Sequence, residues 1–147
     1  MVDREIVATR LSRLRGALGR LRKLADKPRN EYLSSDDDRA LAEHYLRIAL
    51  EVVLDTGNHV IASGGWRKPQ SLREIPSILA ESGAIPADLA ERLAAAVGLR
   101  NRLVHEYAAI DHEIVHRVIG SHLADLEAFA VAIGRLCDDD DRSRAPA

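Results

Sequence analysis

The sequence predicts an all-α protein, a four-helix bundle with one additional short helix. Three observations lead there. Alanine (22) and leucine (19) dominate, threonine appears twice and aromatics make up only 3%, an excess of strong helix formers over residues that favour strands. Apolar residues recur at spacings of three and four, the helical period, rather than two. At 147 residues and 46% hydrophobic, the chain has the length of one domain and enough apolar side chains for one core.

The first helix is expected over about residues 4–26. Val7, Leu11, Leu14, Leu18, Leu21 and Ala25 form one stripe, and arginines occupy the other faces. Gly16 and Gly19 lower its propensity and offer room for a closely packed neighbour. Pro28 and Asn30 end it. A linker follows, closing on Ser34-Ser35-Asp36-Asp37-Asp38, with acids where a helix start favours them. The second long helix, about 37–63, carries two apolar stripes: Leu41, Tyr45, Ile48 and Val52, and Leu46, Leu50, Val53 and Leu54. Such a helix is buried between neighbours, or is buried on one side and dimerises through the other. Gly64-Gly65 stops it.

Between Pro69 and Gly83 there is room for one short helix, roughly 71–82, with Leu72, Ile75 and Leu79 inward and Pro76 obscuring its start. Pro86 opens a helix reaching about Tyr107. Asp111 is placed as the N-cap of the last, about 112–137, whose stripe runs Val115, Ile119, His122, Leu126, Phe129, Ile133 and Leu136. Residues 1–137 therefore form the helical domain, and 138–147, with four consecutive aspartates, are expected as a disordered acidic tail.

Composition excludes several classes of function. One cysteine, Cys137, rules out a disulfide framework or a cysteine zinc site. No apolar run approaches the roughly 20 residues that span a membrane. The first residues, with Asp3, Arg4 and Glu5, do not form a secretory signal, so a cytoplasmic protein is expected. No G-x-G-x-x-G or Walker pattern occurs, and Gly64-Gly65-Trp66 is not a phosphate loop.

His112-Glu113-Ile114-Val115-His116 matches H-E-x-x-H, and His122 falls ten residues after His112, the spacing of a third zinc ligand in one protease class. Three features oppose that reading. Ile119 stands where a glycine must break the helix, and the apolar stripe passes straight through Gly120. In a continuous helix His122 sits about 15 Å along the axis from His112, too far to share one zinc. Met1 is the only methionine, so the methionine turn of that class is impossible. No metal site is expected.

The second motif is Arg100-Asn101-Arg102-Leu103-Val104-His105-Glu106-Tyr107. Histidine suits general acid/base work because its pKa lies near working pH. Arginine grips two phosphate oxygens and stays charged. At about 100° per residue Arg100 and Tyr107 lie within about 20° of one line, Asn101 and His105 form an i,i+4 pair, and His105 and Tyr107 diverge by about 160°. His105 and Tyr107 converge only if the helix frays or two copies face each other.

Arg100-x4-His105-x-Tyr107 resembles the signature of HEPN-domain ribonucleases, and the longer run resembles HepT-like toxins. Tyr45 to His59 is similar to that family's second helix. Gly98 to Tyr107, followed by Ile110-Asp111, is similar to its catalytic helix and exit turn. Ala96 departs from an expected methionine, which alters packing and leaves the chemistry untouched. The resemblance implies a HEPN-type bundle and a metal-independent endoribonuclease without cofactors, acting as the toxin of a toxin–antitoxin pair. It implies Arg100 and His105 as catalytic, a site built at a homodimer interface, and a minimal nucleotidyltransferase antitoxin that transfers AMP to Tyr107. Asn101 and Tyr107 are supporting or phosphate-binding candidates, and Asn101 equally suits holding the helix end. The expected substrate is tRNA or mRNA, and the oligomer is a dimer or larger. The competing expectation is a non-catalytic module binding a nucleotide or the nucleotidyltransferase through the same patch. Nine Lys/Arg against three acids in residues 1–29 would either extend an RNA surface or be balanced by the acidic 31–38 segment.

Overall fold

The computed structural model describes residues 2–105 and 110–144; the side chains of 103–105, 141, 143 and 144 lie outside that description. Six helices and no strand are found among the described residues: α1 (Arg4–Ala25), α2 (Arg29–Leu33), α3 (Asp36–Gly64), α4 (Glu74–Glu81), α5 (Ala87–His105) and α6 (His112–Arg144).

Local chemistry sets the ends. The Asp3 side chain accepts from the Glu5 and Ile6 amides at the start of α1, and Ser35 accepts from the Asp38 amide at the start of α3. Asp111 accepts from the Glu113 amide at 3.0 Å, so its expected capping role holds. Gly65 ends α3 in the left-handed region at φ 67°. The Trp66 amide there donates back to the Ile61 carbonyl at 3.1 Å, a reversal that a side chain at Gly65 would strain.

α1 packs on α3 and α6, while α4 lies on α5 and α3, and α5 closes the bundle against α3 and α6. Leu14 and Leu21 of α1, Leu46 of α3, Leu93 of α5 and Phe129 of α6 are fully buried at the centre. Each such side chain stabilises the fold by roughly 1.5–3 kcal/mol of apolar transfer.

The structure departs from expectation in four places. The linker after α1 holds a further short helix, α2, because it docks a fully buried Tyr32. α6 continues to Arg144 instead of giving way to an unfolded tail at 138. No proline interrupts it before 146, Cys137 is buried, and Arg4 pairs with Asp138 at 3.5 Å. Gly16 and Gly19 face open space, with no helix against them. In α6 the buried line runs through Leu123 and Cys137, leaving His122 at the edge.

α3 resolves its two stripes. Leu46, Leu50, Val53 and Leu54 are buried within the chain, as is Val52 at the end of the other stripe, while Leu41 is 43% exposed and Tyr45 and Ile48 are half-buried. Of the basic residues in 1–29, Arg4, Arg22 and Arg29 pair with Asp138, Glu127 and Glu113 of α6, and Lys27 reaches Asp38 of the acidic segment at 2.7 Å.

Candidate functional site

Arg100 sits on the last turns of α5. Its guanidinium is half-buried against α3, with Nη2 at 3.8 Å from Glu51 Oε1 and Nη1 donating to Asn101 Oδ1 at 3.4 Å. Its Nε is buried with no partner among the described residues. These contacts are long for charge-assisted bonds, which run near 2.7–2.9 Å. The cation is held in place without being neutralised, the condition for receiving an anion. Glu51 was not singled out by sequence reasoning, because a charge on α3 gives no local sign of meeting α5.

Asn101 is half-buried beside Arg100. The backbone of His105 closes α5. Its side chain, and the whole of Tyr107, lie outside the described residues. The structure therefore joins Arg100 and Asn101, and the remaining two positions follow them along the same chain segment.

On the other side of Asn101 a groove of about 500 Å³ opens between α5, α6 and the start of α4. Arg73, Asn101, Arg102 and His122 line it over a floor that includes Ala95 and Val118, and no carboxylate is among its described lining residues. His122 Nδ1 lies 3.0 Å from Asp125 Oδ2, and Asp125 Oδ1 accepts from Arg92 Nε at 2.7 Å. Burial pushes the Asp125 carboxyl up, but the hydrogen bonds from His122 and Arg92 outweigh it and hold the group below the usual carboxylate range.

The three histidines of the zinc-like pattern go to separate partners. His112 Nδ1 lies 3.5 Å from Glu43. His116 Nε2 donates to the Lys27 carbonyl at 3.0 Å, and its ring stacks on Tyr32 with centroids 4.7 Å apart. His122 belongs to Asp125. Helix α6 runs unbroken through Gly120, so the turn that a third zinc ligand requires is not formed. His116 and Tyr32 instead seal the junction of α2 and α6, where burial and the nearby Glu43 charge push the Tyr32 phenol up to about 12.

Comparison with known proteins identifies the family and the fold. Residues 14–133 match the family described as Ribonuclease HepT-like. The chain is 30% identical over 118 residues to the tRNA nuclease HepT of Aphanizomenon flos-aquae, covering 80% of each protein. It is 36% identical over 84 residues to the mRNA nuclease HepT of Shewanella oneidensis, covering 57% of this chain and 63% of that one. A solved structure of the tri-AMPylated Shewanella oneidensis HEPN toxin in complex with MNT antitoxin superposes with a TM-score of 0.82 at 26% identity, spanning 92% of this chain and 99% of that one. With the family match covering most of the bundle and the motif arginine seated as a held, unneutralised cation, the chain belongs to the HepT-like ribonuclease family.

Proposed function

We propose that this chain is the ribonuclease toxin of a two-component pair, cleaving RNA without a metal and silenced by AMP transfer to Tyr107. The observation that carries the reading is Arg100: half-buried, fixed by Asn101 and Glu51, and carrying an unpartnered Nε. Two nuclease relatives support an RNA substrate, tRNA for one and mRNA for the other. A structural neighbour that is tri-AMPylated and bound to MNT antitoxin supports the partner and the modification.

In this reading the scissile phosphate binds Arg100 and His105 takes the proton from the ribose 2′-OH. The 2′-oxygen bonds to phosphorus, the bond to the 5′-oxygen breaks, and that oxygen receives a proton. The products are a 2′,3′-cyclic phosphate and a 5′-hydroxyl end. One histidine needs a partner for the two proton steps, which Tyr107 or a second protomer supplies. The half-exposed stripe of Leu41, Tyr45 and Ile48 on α3 is the surface we assign to a homodimer. An AMP on Tyr107 adds negative charge and bulk to the same motif as Arg100, which opposes the binding of RNA phosphate. The pair acts in the cytoplasm.

The test is cleavage of total tRNA and mRNA in excess EDTA by wild type, Arg100→Ala and His105→Ala. Cleavage by wild type alone supports the reading. An unmodified wild-type protein that binds RNA without cutting it would make this chain a binding module. Intact mass after incubation with the antitoxin and ATP tests the switch. No mass gain, or a gain that survives Tyr107→Phe, removes it.

A further inference from the structure

We infer that the groove beside Asn101 is a second RNA subsite, which binds the backbone phosphate adjacent to the one cleaved; this rests on the ribonuclease reading for the position of the scissile phosphate. The chain has nearly balanced charge, with 21 basic and 23 acidic residues, yet the groove wall carries Arg73, Arg102, His122 and Asn101 and no carboxylate among its described residues. Several arginines elsewhere are paired with acids: Arg22 with Glu127, Arg39 with Asp36, Arg67 with Glu81 and Arg92 with Asp125. Arg73 and Arg102 have no acidic partner among the described residues, and both are exposed.

His122 is fixed as well as present. Its Nδ1–H donates to Asp125, which Arg92 anchors in turn, leaving Nε2 for another partner. Asn101 links the two sites. Its carbonyl oxygen accepts from Arg100, and its amide group remains for the groove. The small and apolar floor of Ala95 and Val118 suits a ribose or base edge lying between phosphates. A strand whose scissile phosphate is on Arg100 passes Asn101 and lays its neighbour against Arg73, Arg102 and His122. An acidic protein segment would also find cations here, but apolar lining between separate cationic and amide groups better suits a chain that alternates phosphate with ribose and base.

The experiment measures binding of a labelled 12-nucleotide single-stranded RNA of mixed sequence to full-length protein carrying His105→Ala, so that no cleavage intervenes. Arg73→Glu and Arg102→Glu are compared with Arg135→Glu, the same charge change about 20 Å further along α6 from His122. Each groove variant should bind roughly tenfold more weakly. Each lost phosphate contact should also flatten the dependence of log affinity on log salt by about 0.7. In protein with His105 intact, the same variants should raise KM more than they lower kcat.

Groove variants that bind no worse than Arg135→Glu overturn the subsite, whatever Arg100→Ala does to cleavage. Variants that bind RNA normally but lose the nucleotidyltransferase antitoxin overturn it in favour of a protein-binding face. If wild type cleaves nothing while the groove variants still lose RNA, the ribonuclease reading falls and the RNA groove stands. Thermal melts confirm that the exposed substitutions leave the fold intact.

Discussion

The Arg100 guanidinium of α5 and the Glu51 carboxylate of α3 face each other at 3.8 Å, close enough to attract and too far for a good hydrogen bond. A half-exposed pair at that separation is worth about 0.2–1 kcal/mol. Glu51 therefore positions the arginine while competing weakly with an incoming phosphate. Glu51→Gln keeps the shape and removes the charge. RNA affinity should rise about two- to fivefold, read by anisotropy in the His105→Ala protein. An affinity below that of wild type would mean that orientation of Arg100 by Glu51 outweighs competition.

Arg100→Lys separates charge from geometry. Lysine keeps the cation but loses the planar fork and the Nε that stands unpartnered in the buried part of the site. We expect kcat to fall at least tenfold for lysine and about 10²–10³-fold for alanine, with RNA binding retained better by lysine. Equal activity of Arg100→Lys and wild type would show that only the charge matters.

The sequence made the bundle legible because five apolar stripes repeat at helical spacing, and Asp111 and Gly65 mark ends by chemistry confined to one turn. It also made the site motif legible, since Arg100 to Tyr107 are contiguous. What it hid depends on contacts between distant segments. The Tyr32 dock that makes α2 helical needs His116, 84 positions further along the chain. The continuation of α6 past 137 is accompanied by contact between Asp138 and Arg4. The groove joins Arg73 and His122 to Asn101 only after α4, α5 and α6 have packed. His122 looked like one more member of a core stripe, but the buried line takes Leu123 between Ile119 and Leu126 and leaves His122 at its edge.

At Gly57 α4 lies close on α3. A Cβ there would come within 2.7 Å of Ile75 Cγ2 and 3.2 Å of Leu79 Cδ1. Alanine would gain about 0.8–1 kcal/mol of helix propensity, but the overpacking costs about 1–3 kcal/mol, so the clash wins. Gly57→Ala should lower stability to urea by about 1 kcal/mol. Ile75→Leu removes the obstructing Cγ2 at similar volume, so the double variant should lose less than the sum of the two single changes. Strict additivity would place the cost elsewhere.

Asp125 ties fold stability to the proposed RNA groove, and its effect has a definite sign in pH. Its carboxyl is held below its ordinary value of 3.8 in the folded chain, so the folded state favours the carboxylate. The resulting stability is fully present above the unfolded value and is lost as pH falls through the lower folded value. Asp125→Asn removes the acceptor shared by His122 and Arg92, at a cost of about 1–2 kcal/mol and a Tm loss of roughly 3–6 °C at pH 7. Toward pH 3 the gap between variant and wild type should narrow, because below 3.8 the unfolded chain's carboxyl takes up a proton and the advantage of the folded carboxylate shrinks. The same substitution frees the His122 ring, so RNA affinity at pH 7 should fall although Asp125 is not among the residues lining the groove. A Tm gap that stays constant from pH 7 to pH 3 would show that the carboxylate charge contributes nothing. Unchanged RNA affinity would show that the ring's orientation is not what the groove uses.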